Sequence, residues 1–163
     1  MASDPLGRNI KARYGIDRHE HTAILEMATA SGLPLLTPEE RNPMKTSTYG
    51  TGQLIAHAIG EGCRKFLIGI GGSATNDGGT GMLRALGFRF TDKEGHELIG
   101  GGEILEHIHK IDNTLALPQL NECQFTVACD VNNPVYGANG AAHVFAPQKG
   151  ADQEMVALLD KGL

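Results

Sequence analysis

The 163-residue sequence predicts an α/β fold: a layered arrangement with a mixed or mostly parallel sheet flanked by helices, in a single domain over residues 1–163. Three observations carry this. Short apolar runs that suit strands alternate along the chain with segments of helical period. A composition of 40% apolar and 20% charged residues can bury a core of ordinary size. The 22 glycines describe a loop-rich chain, and its densest glycine loop follows directly on an apolar run. In α/β folds ligands collect beyond the carboxyl ends of strands.

Asp4-Pro5-Leu6-Gly7 reads as a turn, followed by the alternating pattern of a strand over Ile10 to Tyr14. Thr22 to Leu25 is a second strand, and Glu26 to Ser31 a short helix that Gly32 closes. The prolines of 33–43 make that stretch a surface connection. Thr46, Ser47 and Thr48 offer N-cap hydroxyls to a helix carrying Leu54, Ile55, Ala58 and Ile59 at helical spacing. Phe66 to Ile70 is a buried strand, and Met82 to Leu86 a helix that Gly87 ends. Phe88 to Phe90 is a strand before the turn Asp92 to Gly95, and Glu103 to His107 a short helix. Phe125 to Cys129 alternates as a strand ending at Asp130. His143 to Phe145 reads as a final strand, with His143 packed within it, and Asp152 to Leu163 as a helix.

The charge balance narrows the partners. A formal net charge of −5 with no Lys/Arg run argues against nucleic acid, whose phosphates need a basic face. Cys63, Cys123 and Cys129 are odd in number and lack C-x-x-C spacing, which suits reduced, mostly buried thiols rather than a disulfide frame or zinc site. The sequence shows no long apolar span and no leader, so no membrane is expected and the cytoplasm is the expected compartment. His107 and His109 alternate without a third ligand and read as surface residues. No Walker A, G-x-S-x-G or H-E-x-x-H motif is present.

The chemistry concentrates in Gly71 to Gly79. Glycine is entropically costly wherever it is ordered, so four glycines in nine residues imply unusual φ/ψ or close approach of a ligand. Successive amides in such a bend can line an anion-binding concavity. Gly71, Gly72, Ser73 and Thr75 are the candidate phosphate- or substrate-binding residues, with Asn76 beside them as a candidate catalytic group. Asp77 and Asp130 are the candidate carboxylates, as catalytic groups or as Mg²⁺ ligands, and the alternative is that both cap neighbouring backbone. Lys149 is either a phosphate-facing cation or a solvated surface lysine. Strand-end placement would bring Gly71–Gly79, Asp130–Asn133 and Gln148–Lys149 to one rim. Thr48 to Gly52 is a second Gly/Thr cluster at a helix start, suited to an anion or to a flexible cap. Gly69 to Ala74 matches G-x-G-x-x-A with Asp92 downstream. A dinucleotide site is nonetheless rejected, because its helix would have to run through Asn76-Asp77-Gly78-Gly79.

The run Gly-Ile-Gly-Gly-Ser-Ala-Thr-Asn-Asp-Gly-Gly-Thr-Gly-Met-Leu over 69–83 resembles the signature of the bacterial glycerate kinase family, type 1. So do Glu26 to Leu33, Thr48 to Ile55, Cys129 to Gly137, and Gly140 to Ala151 with its Ala-Pro-Gln-Lys-Gly-Ala. Together these blocks span nearly the whole chain in order. The resemblance implies one α/β domain of a two-domain kinase, which uses ATP and Mg²⁺ to phosphorylate D-glycerate to 2-phosphoglycerate or 3-phosphoglycerate. Family members are longer, opening on a strand and an Asp-Ser-Phe-Lys-Gly segment. The chain is thus similar to their inserted domain, with the Rossmann-like companion missing. A non-catalytic ligand-binding or structural half is the alternative expectation.

Overall fold

The sheet is built from strands whose alternation leaves one apolar face. The computed structural model describes residues 1–163. Its elements, in chain order, are β1 (Ala2–Ser3), β2 (Asn9–Ile10), β3 (Gly15–Asp17), β4 (Thr22–Glu26), α1 (Ala28–Ser31), α2 (Tyr49–Gly60), β5 (Lys65–Gly69), α3 (Thr80–Ala85), β6 (Arg89–Thr91), β7 (Lys110–Asp112), β8 (Gln124–Ala128), α4 (Ala141–Phe145) and α5 (Gln153–Gly162). The main sheet has the order β3-β4-β5-β8. β3 runs antiparallel to β4, while β4, β5 and β8 are mutually parallel. This is the mixed, mostly parallel sheet that the sequence predicts.

Ala23 and Leu25 of β4 and Phe66 and Ile68 of β5 project to one face. α2 covers them with Leu54, Ile55, Ala58 and Ile59, the residues picked out by helical spacing. Each of the larger side chains contributes about 1.5–3 kcal/mol on burial. α3 lies close on α2 because the position facing it is a glycine. A Cβ on Gly52 would fall 2.3 Å from the carbonyl oxygen of Met82. On the opposite sheet face Ile24 and Leu67 are exposed. A second, smaller core joins Leu105 to Ala142 of α4, to Ala146 at the cap that ends it, and to Val156 and Leu159 of α5. α5 starts where Asp152 accepts a hydrogen bond from the Met155 amide at 2.9 Å.

The structure corrects several local expectations. His143 to Phe145 is helix, not strand: Ala142 and Ala146 are four residues apart and both fully buried, which is a helical stripe of small residues. His143 is therefore not packed in a sheet but is exposed, 3.8 Å from Asp160. The strand expected over Ile10 to Tyr14 is split. Asn9–Ile10 pairs with β1, residues 11–14 pair with nothing, and Gly15–Asp17 pairs with β4. Glu103 to His107 is a 3-10 helix that begins at Gly102. Of the cysteines only Cys63 is buried; Cys129 is exposed.

Candidate functional site

β5 and β8 are parallel neighbours, so the chain leaving each emerges on the same edge of the sheet. After β5 the backbone turns through Gly72, Gly78 and Gly79 at φ of 69°, 57° and 78°, in the left-handed region that glycine enters without penalty. Four contacts hold the bend from behind. Leu33 N–H donates to Gly72 O at 2.9 Å, and Ala74 N–H to Ser31 O at 2.8 Å. The Thr46 hydroxyl donates to Ala74 O at 2.7 Å, and the Lys149 ammonium to Thr75 O at 2.5 Å.

Asp77 is the pivot. The residue is 1% exposed. Oδ2 accepts from the Thr48 amide at 2.8 Å, the Thr48 hydroxyl at 2.8 Å and the Gly81 amide at 3.2 Å. Oδ1 accepts only from the Gly79 amide, at 3.1 Å. The Thr48 hydroxyl in turn accepts from Met82 N–H at 2.8 Å, so one carboxylate ties the start of α2 to the start of α3. Charge-assisted bonds of this kind are about twice as strong as neutral ones.

The remaining amides of the bend are unspent. The backbone N–H groups of Gly71, Gly72, Ser73, Thr75, Asn76, Asp77 and Gly78 donate to no protein acceptor. The side-chain amide nitrogen of Asn76 is buried and also has no partner. Thr75, Asn76 and Asp77 are buried, and buried amides are paired almost without exception in folded proteins, so these three free ones, continued by the water-accessible amides of Gly71, Gly72 and Gly78, mark a place suited to an external acceptor. The bend borders a cavity of about 550 Å³, within the usual range for ligand sites.

All eight residues singled out in the sequence line that one cavity: Gly71, Gly72, Ser73, Thr75, Asn76, Asp77, Asp130 and Lys149. The three segments expected at one rim do meet there, although the third arrives on α4 and the 3-10 turn Pro147–Lys149 rather than on a strand. Asp130, just past β8, is exposed and its carboxylate makes no protein hydrogen bond. Lys149 is not a solvated surface residue. It is 7% exposed, and burial lowers its pKa from 10.5 to about 8 against the opposing pull of Asp77.

The second Gly/Thr cluster is turned to internal use. The Thr48 donors are taken by Asp77, and Gly50 and Gly52 are points of close backbone contact. The G-x-G-x-x-A match does not open a helix, because the bend stays non-helical until Thr80. Thr46 and Thr48 anchor the loop, and the only sequence signal for that role is a run of hydroxyls before a helix. The apolar wall of Met27, Ile70, Val131, Val135 and Phe145 falls within the blocks that carry the family resemblance, but no residue chemistry in the sequence marks it as part of the site.

The family model for the glycerate kinase family matches residues 1–163. The chain belongs to the glycerate kinase family. It is 51% identical over 159 residues to a glycerate kinase of Haemophilus influenzae and 48% identical to the glycerate 2-kinase of Escherichia coli. Each alignment takes in 98% of this chain and 42% of the relative. A crystal structure from Salmonella typhimurium LT2, described as a putative glycerate kinase 2, superposes with a TM-score of 0.95 at 47% identity, over 99% of this chain and 43% of that one. The chain thus spans under half the length of these glycerate kinases. No helix is long and apolar enough to cross a membrane.

Proposed function

We propose that residues 1–163 form the ligand-holding α/β domain of a kinase that transfers the terminal phosphoryl group of ATP to a hydroxyl of D-glycerate. The products are 2-phosphoglycerate or 3-phosphoglycerate and ADP. The observation that carries this reading is the bend of seven free amides beside the partnerless Asn76 side chain. Phosphoryl transfer needs positioning and charge neutralisation more than covalent chemistry. Gly71, Gly72, Ser73 and Thr75 cradle phosphate or carboxylate oxygens, and Asn76 orients them. Lys149 places positive charge directly beneath the loop.

The two carboxylates differ in what they have left to offer. Asp130 has both oxygens free and accepts the proton that the glycerate hydroxyl loses as its oxygen bonds to phosphorus. Asp77 has most of its capacity committed to Thr48, Gly79 and Gly81, so its main part is to hold the bend in shape. Hard carboxylate oxygens on both residues suit Mg²⁺. Oδ1 of Asp77 and the Asp130 carboxylate would hold it. When bound, the ion neutralises charge on the phosphate oxygens.

The test is ADP release on mixing the protein with ATP, Mg²⁺ and D-glycerate, compared with Asp130→Asn and Asp77→Asn. Turnover within about threefold of wild type for Asp130→Asn, under roughly 1 kcal/mol of barrier, removes it from the reaction. A second reading is favoured by the 42% coverage of the relatives: a binding half that needs a companion domain for turnover. Calorimetric binding of ATP or glycerate without product supports that reading.

A further inference from the structure

The cavity has two chemically distinct walls. One is the polar bend with its free amides and the Asp130 carboxylate. The other is apolar, built from Met27 and Ile70 just beyond β4 and β5, Val131 and Val135 beyond β8, and Phe145 on α4. Val131 is 42% exposed and Val135 60%, so this wall stands open to water beside a polar site. Apolar surface gathered around a few polar groups is the usual make-up of a ligand pocket.

A three-carbon hydroxy acid cannot satisfy both walls. It is polar at every carbon and fills little of about 550 Å³. A nucleoside triphosphate matches both, with an anionic tail for the amides and a flat, weakly polar base for the aliphatic and aromatic side chains. We propose that Val131, Val135 and Phe145, with Met27 and Ile70, form the base subsite of a nucleotide whose phosphate tail lies along Gly71–Gly78. The inference rests on the phosphotransferase reading and adds to it a place for the base. The apolar wall and the amide bend share one cavity, so a single ligand spans them without leaving the site.

The experiment is titration calorimetry in Mg²⁺ buffer with ATP and, separately, inorganic tripolyphosphate, which carries the same tail and no base. ATP is expected to bind about tenfold or more tightly than tripolyphosphate, because only the base covers the apolar wall. Val135→Asn and Phe145→Leu are expected to weaken ATP about five- to tenfold and leave tripolyphosphate within about twofold. Val135 is exposed enough that its variant keeps the fold, which an unchanged thermal melt verifies. Equal affinity for the two ligands, or equal weakening of both by the variants, overturns the base subsite and leaves the anion site standing. Absence of binding by either ligand overturns the oxyanion reading and the base subsite with it.

Discussion

Replacing Lys149 by Met tests the buried lysine by its pH signature rather than by its loss alone. Methionine keeps most of the stem's length and apolar contacts but removes the ammonium that donates to Thr75 O. The lysine titrates at about 8 in the fold and at its ordinary 10.5 in the unfolded chain. Between those values the unfolded state binds more protons, so wild-type stability rises with pH through that window relative to the variant. Each pH unit of displacement is worth about 1.4 kcal/mol, which makes the full change about 3 kcal/mol. Below about pH 8 the lysine is charged in both states, and the burial cost is present in full. The assay is urea unfolding of both proteins at intervals from about pH 7 to about pH 10.5, plotting the difference between them. Wild type should gain on the variant by about 2–3 kcal/mol across that range. A flat difference, or one that favours the Lys149→Met variant increasingly with pH, would refute the argument that burial dominates at this ammonium.

Three further outcomes follow from the same geometry. Asp77→Asn leaves at least one donor among Thr48, Gly79 and Gly81 without its charged acceptor and should cost about 3 kcal/mol in urea unfolding. Gly81→Ala places a Cβ 2.0 Å from the Ser47 hydroxyl and 2.7 Å from the Tyr49 amide nitrogen, and should lower the thermal midpoint by roughly 4–8 °C. Asp130→Asn, on an exposed residue with no protein bond, should leave the midpoint within about 1 °C while lowering phosphoryl transfer at least about a hundredfold.

Much of the fold was legible because it is local. Ala23, Leu25, Phe66 and Ile68 alternate, and Leu54, Ile55, Ala58 and Ile59 recur at helical spacing, so both layers of the main core can be read from period alone. His143-Val144-Phe145 misled because three residues fit either period. What decides for helix is the burial of Ala142 and Ala146 against Leu159, a contact remote in sequence. The site was legible to the extent that glycine density reports backbone conformation. Gly72, Gly78 and Gly79 do take positive φ. The division of labour between Asp77 and Asp130 was not legible, since it depends on Thr48 lying 29 residues from Asp77 and closing on it. Nor was the burial of Lys149, which depends on a carbonyl 74 residues away.

The most direct measurement is on the amides themselves. Nitrogen–proton correlation spectra of the 17.3 kDa chain, titrated with tripolyphosphate in Mg²⁺ buffer, report each backbone N–H separately. If the bend receives an oxyanion, the resonances of Gly71, Gly72, Ser73, Thr75, Asn76 and Gly78 shift together and saturably, while Ala74, already bonded to Ser31, moves least. Saturable shifts elsewhere with those resonances unmoved would contradict it.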